Sequence, residues 1–177
     1  MSYILATAGS NSSTSINFQL VIYTASLLED RDVDLLELAK TEFPMYGEDL
    51  EKAQGIPGEI TRLKSRIQKA KGLILSVNEH NGNPSAFFKN ILDWLSRDER
   101  RFLADRPVFL MSASGGKRGA ASSRGVVQEM IPRFGGNVVA TFSLPGYYDN
   151  FDPQSGITEP GLAGAHKEAL NTFLSEL

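Results

Sequence analysis

The chain contains no cysteine. Disulfides, thiolate nucleophiles, iron–sulfur clusters and cysteine-based zinc sites are therefore excluded. Histidine is nearly as scarce: only His80 and His166 occur, and neither has a metal-ligand partner at a recognisable spacing. No apolar stretch approaches the roughly 18–20 residues that a membrane span requires. The start, Met1-Ser2-Tyr3-Ile4-Leu5, has no basic segment ahead of a long apolar run, so no signal peptide is expected. These absences lead to the expectation of a soluble, cytoplasmic protein. A large charge of either sign is missing too. The net −3 argues against a nucleic-acid interface, which needs a basic face to displace counterions. It also falls short of the acidity expected of an electron carrier that docks on basic partners.

Several catalytic signatures are absent as well. No two glycines stand two apart, so there is no G-x-G-x-x-G dinucleotide fingerprint, and neither a P-loop nor a G-x-S-x-G elbow occurs. Asp149 and Asp152 lack calcium-loop spacing and read as surface residues, as does the charged run from Asp98 to Arg101.

What is present is an alternation. Five short apolar runs, Tyr3–Ala8, Val33–Leu38, Leu73–Val77, Val108–Met111 and Val138–Phe142, read as strands. Most lack polar alternation, as strands covered on both faces do. The second contains Asp34 and Glu37, which suits an edge.

Between them lie helical stripes: Ile16, Leu20, Tyr23 and Leu27; Ile60, Leu63, Ile67 and Ala70; Phe87, Phe88, Ile91, Leu92 and Leu95; and Val126 to Phe134. Asn83-Pro84 reads as a cap and first-turn proline, and Pro132 is expected to shorten the fourth helix. A fifth helix runs from about Pro160 to Leu174. The pattern predicts one α/β domain over 1–177, a three-layer sandwich with a five-stranded parallel sheet in the order 2-1-3-4-5 and helices on both faces. The segments Lys40–Gly55 and Pro145–Thr158 read as irregular. His166 reads as a surface residue, and Trp94 as core or subunit-interface packing rather than a ligand contact.

Three loops concentrate Gly, Ser and Asn, and each follows a different strand. They are Gly9 to Asn17, Asn78 to Asn83, and Ser112 to Gly119. In the predicted order the winding reverses between strands 1 and 3, and open α/β sheets bind ligands in that crevice. The first loop places five hydroxyl residues in the six positions 10–15, immediately before a helix. Hydroxyls of Ser10, Ser12 and Ser15, with amides near Ile16 and Asn17, form a candidate anion site. Helix capping alone is the competing explanation. His80 reads equally as a ligand contact or a plain loop residue.

These loops resemble those of the NADPH-dependent FMN reductase family, a flavodoxin-like group of quinone, azo-dye and chromate reductases. Gly9-Ser10-Asn11-Ser12-Ser13-Thr14-Ser15-Ile16-Asn17 is similar to G-S-x-R-x-x-S-x-N. Asn78-Glu79-His80-Asn81, continuing through Pro84 to Lys89-Asn90-Ile91-Leu92-Asp93-Trp94, is similar to P-E-Y-N…P…K-N-x-x-D-W. Ser112-Ala113-Ser114-Gly115-Gly116-Lys117-Arg118-Gly119 is similar to S-x-S-x-G-x-x-G, and Asn150 to Thr158 resembles the family's closing segment.

The resemblance implies an FMN-dependent NAD(P)H oxidoreductase that passes hydride from a nicotinamide through bound FMN to a small acceptor such as a quinone. A flavodoxin-like electron carrier and a flavin-less binding domain are the alternatives. It further implies that Ser10, Ser12, Ser15, Ile16 and Asn17 hold the phosphate. Asn78, Glu79, His80 and Asn81 would border the ring, and Ser114, Gly115 and Gly116 would flank its other edge. No protein acid or base is required. A homodimer or homotetramer is expected, with the helix carrying Trp94 as a candidate interface. Two departures stand out. Ser12 replaces the family's arginine, which leaves Arg118 as the nearby cation. Asn78 and His80 replace its proline and tyrosine, removing a flat phenol from beside the flavin.

Overall fold

The structure, a computed structural model, describes residues 3–177. Met1 and Ser2, the first residues of the stretch read for a signal peptide, lie outside the described residues. Five parallel strands, β1 (Ile4–Ala8), β2 (Val33–Leu36), β3 (Gly72–Val77), β4 (Pro107–Ala113) and β5 (Asn137–Leu144), form one sheet. Their order is β2-β1-β3-β4-β5, as the alternation predicts. Helices α1 (Ile16–Ser26) and α7 (Pro160–Ser175) cover one face, and α3 (Gly58–Lys69), α4 (Ala86–Asp98) and α5 (Ala121–Met130) cover the other.

The strands alternate between the two helical layers. Leu5, Leu73, Leu75, Val108 and Leu110 face α3, α4 and α5. Ile4, Ala6, Ile74, Phe109 and Met111 face α1 and α7. Every residue of β1 and β3 is buried, which is why both read as mainly apolar runs without polar alternation, broken only by Thr7 and Ser76. β2 lies at the sheet edge with Leu35 exposed. Truncating a residue such as Phe109 to alanine would cost about 3–5 kcal/mol through lost transfer energy and a cavity.

Several local expectations need correction. The first helix buries Asn17, Leu20, Val21 and Thr24, whereas Leu27 is exposed. Its buried face includes two polar side chains, so a stripe drawn through apolar residues alone is rotated away from it. The α4 cap is Ser85, whose hydroxyl accepts the Phe88 N–H, and not Asn83. α5 ends at Met130 and passes into a tight turn over Ile131–Phe134 containing Pro132, closed by Gly135 at φ 78°.

His166 is not on the surface. It is 1% exposed, lies among Tyr23, Phe109 and Phe142, and pairs with the Thr24 hydroxyl at 2.9 Å. Thr24 already donates to the Leu20 carbonyl, so the His166 Nε2–H is the donor. Burial among apolar rings pushes its pKa down from 6.5 to about 4.

The segment expected to be irregular after Lys40 instead carries the helix α2 (Glu48–Gln54), which has no buried residue. It is fastened through the chain ahead of it. Asn90 accepts the Tyr46 N–H at 2.7 Å, while Asn90 Nδ2 and Trp94 Nε1 both donate to the Pro44 carbonyl, at 2.9 and 2.8 Å. Lys89 and Asp93 pair across one helical turn. The Lys-Asn-x-x-Asp-Trp pattern therefore has a structural role, and Trp94 is fully buried in its own chain rather than at an interface. Between Pro145 and Thr158 the chain forms the one-turn helix α6 (Tyr147–Asn150) and a small hairpin of β6 (Phe151–Asp152) and β7 (Gly156–Ile157).

Candidate functional site

At the carboxyl ends of β1, β3 and β4 lies a cleft of about 330 Å³, lined by Ser10, Ser12, Ser15, Ile16, Asn17, Asn78, Glu79, Ser114 and Gly115. Thr14, Ala113 and Tyr148 complete it. It sits at the reversal of winding between β1 and β3. Three separate loops thus converge on one opening.

The first loop is shaped by its own hydroxyls. Ser10 accepts the Ser12 N–H and Ser12 accepts the Thr14 N–H, both at 3.2 Å, while Ser15 caps α1 through the Phe18 N–H. Capping therefore occupies one of the hydroxyls. The N–H groups of Ile16 and Asn17, at the start of α1, have no acceptor among the described residues.

The Asn17 side chain is committed elsewhere. It is 2% exposed, accepts the Ser76 hydroxyl at 2.8 Å and the Ala113 N–H at 2.9 Å, and donates to the Ala113 carbonyl at 3.1 Å. This one amide ties the first loop's helix to β3 and β4. Ser85 adds a tie from α4, donating to the Gly9 carbonyl at 3.0 Å.

The second loop is fastened to α5, the helix that follows the third loop. Glu79 accepts the Ser123 N–H in the first turn of α5 at 3.0 Å, and the Ser123 hydroxyl donates to the Asn78 carbonyl at 2.7 Å. A carboxylate on a helix amino terminus is favourably placed. Asn78 Oδ1 is buried without a partner among the described residues.

Beneath the third loop runs a chain of hydrogen bonds with fixed direction. Arg124 Nε donates to Ser143, Ser143 to Ser112, and Ser112 to the Gly119 carbonyl, at 2.9, 2.8 and 2.6 Å. The Arg124 guanidinium forms no ion pair among the described residues, and its burial lowers its pKa. Gly119 is required where it stands. Its φ is +57°, and a Cβ there would meet the backbone of Leu144 and Pro145 at 2.8 Å.

Three residues expected at the site do not line the cleft. His80 and Asn83 exchange backbone hydrogen bonds across Asn81 and Gly82, which have φ of 54° and 77°. That tight turn carries His80 and Asn81 out into solvent. Gly116 is likewise exposed, its carbonyl taken by the N–H groups of Gly119 and Gly146. Arg118 is exposed and outside the cleft, and among the described residues no cationic side chain lines it.

Thr14, Ala113 and Tyr148 line the cleft without having been singled out from sequence; the first two fall inside the expected loops, and Tyr148 lies outside them. The consecutive Tyr147-Tyr148 after the last strand was its available signal. No group of three or more metal-ligating residues occurs among the described residues, and no helix among them is long and apolar enough to cross a membrane.

A doubly wound parallel sheet with its cleft at the winding reversal is a flavodoxin-like architecture. The family model for NADPH-dependent FMN reductase matches residues 2–148. An uncharacterised protein of Mycoplasma pneumoniae is 34% identical over 158 residues, covering 84% of this chain and 90% of that protein. A quinone reductase of Escherichia coli K12 is 27% identical over 125 residues, covering 65% of this chain and 62% of its own length. Among solved structures, the flavoenzyme NAD(P)H:(acceptor) oxidoreductase FerB of Paracoccus denitrificans superposes with a TM-score of 0.74 at 21% identity, covering 99% of both chains. The chain belongs to the NADPH-dependent FMN reductase family.

Proposed function

We propose that the chain is an FMN-dependent NAD(P)H oxidoreductase that reduces a small acceptor such as a quinone, with residues 1–177 acting as one FMN-binding domain. The observation that carries this reading is the free pair of N–H groups on Ile16 and Asn17, opening onto the same cleft as the hydroxyls of Ser10, Ser12 and Thr14. That donor set fits a phosphate ester: amides at a helix start and hydroxyls, with the α1 dipole adding positive potential.

Ser10, Ser12, Ile16 and Asn17 would hold the phosphate, the last two through backbone N–H and Asn17 with its side chain as a brace. Ser15 would shape the turn from its capping position. Asn78, Glu79, Ser114 and Gly115 border the remainder of the cleft and would contact the ring. His80, Asn81 and Gly116 would act through the turns they form rather than by lining the cleft.

When bound, FMN supplies the redox chemistry between nicotinamide and acceptor. The residues here bind and orient it, and none of them has to move a proton. The anchored loops hold their polar groups in place before any ligand arrives, which lowers the ordering cost of binding.

Assembly as a homodimer or homotetramer and a cytoplasmic location belong to the same proposal. The exposed Met45 and the Phe43–Phe87 edge contact supply apolar surface that such an assembly would cover. The test is titration of the purified apoprotein with FMN, followed by NADH and NADPH oxidation with a quinone. FMN binding at micromolar concentration and acceptor-dependent oxidation are expected. Protein that binds no FMN at that concentration overturns the proposal.

A further inference from the structure

Tyr148 is 78% exposed, the most exposed of the large apolar side chains among the described residues. It is nonetheless held firmly. Its one-turn helix docks on the β4 loop through Gly146 N–H to the Gly116 carbonyl and Tyr147 N–H to the Ser114 carbonyl, both at 3.0 Å. Gly146 makes the turn with φ 53°, and Asn150 braces it by donating to the Pro145 carbonyl at 3.0 Å. Behind Tyr148, Tyr147 meets it edge-on at 5.4 Å and stacks on Phe151 at 4.9 Å. Its own ring lies against Gly115, where a Cβ would come within 3.0 Å of Cε2. A buried aromatic base thus carries an exposed aromatic tip on the wall of the cleft.

The rest of the ring end of the cleft is polar. Asn78, Glu79, Ser114 and Gly115 offer hydrogen bonds to a ring's edge but no flat apolar surface. The position at which the family pattern has tyrosine is His80, and the turn at Asn81-Gly82 carries it away.

We propose that Tyr148 supplies the aromatic wall against the ring system of the bound flavin, so that an aromatic surface absent from the third-strand loop is provided by the fifth. This rests on the reading of the cleft as an FMN site. The contact makes the cleft selective for a phosphate ester bearing a flat aromatic ring. Because the tyrosine is already positioned, little side-chain freedom is lost on binding.

The experiment is calorimetric titration of the apoprotein with FMN, in the unaltered chain and in Tyr148→Phe, Tyr148→Leu and Tyr148→Ala, at low and high salt. Tyr148→Phe should bind within about twofold of the unaltered chain. Tyr148→Ala should bind about tenfold more weakly, the scale of one base stacked on an aromatic side chain, and Tyr148→Leu should fall between. The loss should be the same at both salt concentrations, because a ring contact is not screened as a phosphate contact is. Melting temperatures should be unchanged, the side chain being exposed.

Equal affinity in all four proteins overturns the inference while leaving the FMN site standing. Tyr148→Phe as weak as Tyr148→Ala overturns it in favour of a hydroxyl contact. An unaltered chain that binds no FMN removes the site itself and the inference with it.

Discussion

Acidification should destabilise this protein well before its carboxylates are titrated, and the cause should be one side chain. His166 is neutral in the core, with a folded pKa of about 4 against an ordinary 6.5, because desolvation among apolar rings opposes the charged form. In the unfolded chain it gains a proton as the pH falls through 6.5. In the folded chain it does not until about 4. Between those values the unfolded state binds more protons, so stability falls as pH falls. The difference between 6.5 and about 4, at about 1.4 kcal/mol per pH unit, amounts to about 3 kcal/mol.

The carboxylates act lower. Glu51 is held down chiefly by Arg97, Asp152 by the Ser155 N–H, and Glu159 by the Gly161 N–H. Their depressed values add stability that is lost only below the ordinary 4.5, 3.8 and 4.5. The window between 6.5 and 4.5 therefore isolates the histidine. Urea unfolding at intervals from pH 7.5 to 4.5 should show the slope in the unaltered chain and lose most of it in His166→Leu. That variant orphans no donor, since the Thr24 hydroxyl keeps the Leu20 carbonyl. Parallel stability curves for the two proteins would refute the reasoning.

Two further outcomes are expected at the site. Asn17→Ala removes three hydrogen bonds and leaves the Ser76 hydroxyl and both backbone groups of Ala113 without that partner, so urea unfolding should show a loss of about 3 kcal/mol; a loss below about 1 kcal/mol would mean the tie is not formed. Ser12→Arg restores a cation to a cleft that has none lining it, and should tighten FMN binding about tenfold at low salt with the gain shrinking at high salt; an unchanged affinity would place the phosphate elsewhere.

The sheet could be read from the sequence because its strands are buried on both faces. Leu5, Ile74 and Phe109 need no polar alternation when helices cover both sides, and a parallel sheet of five strands has few right-handed orders. The cleft could be read for a related reason: chain order fixed which loops would meet, and hydroxyl-rich composition marked them. What escaped was long-range pairing of polar groups. His166 looks superficial, and Asn17 looks like a ligand contact alone, until Thr24 and Ala113, far away in sequence, are known to satisfy their side chains. α2 carries no apolar stripe because it is fastened by Tyr46 and by Glu51, which pairs with Arg97, leaving periodicity nothing to detect.

The same distinction separates the residues that line the cleft from those that only build it. A motif records both kinds without marking which is which. Asn90 and Trp94 belong to the most specific stretch of the resemblance, yet both spend their donors on the Pro44 carbonyl. Tyr148 lies outside the three loop motifs, yet it stands on the cleft wall. In this architecture one strand's loop can supply a ligand-facing group that another loop does not carry, because the strand ends open onto one edge and the loops there are fastened to one another. The sequence departures at Ser12 and His80 therefore have to be judged by what the neighbouring loops bring to the cleft, and at the ring end the fifth-strand loop brings an aromatic side chain.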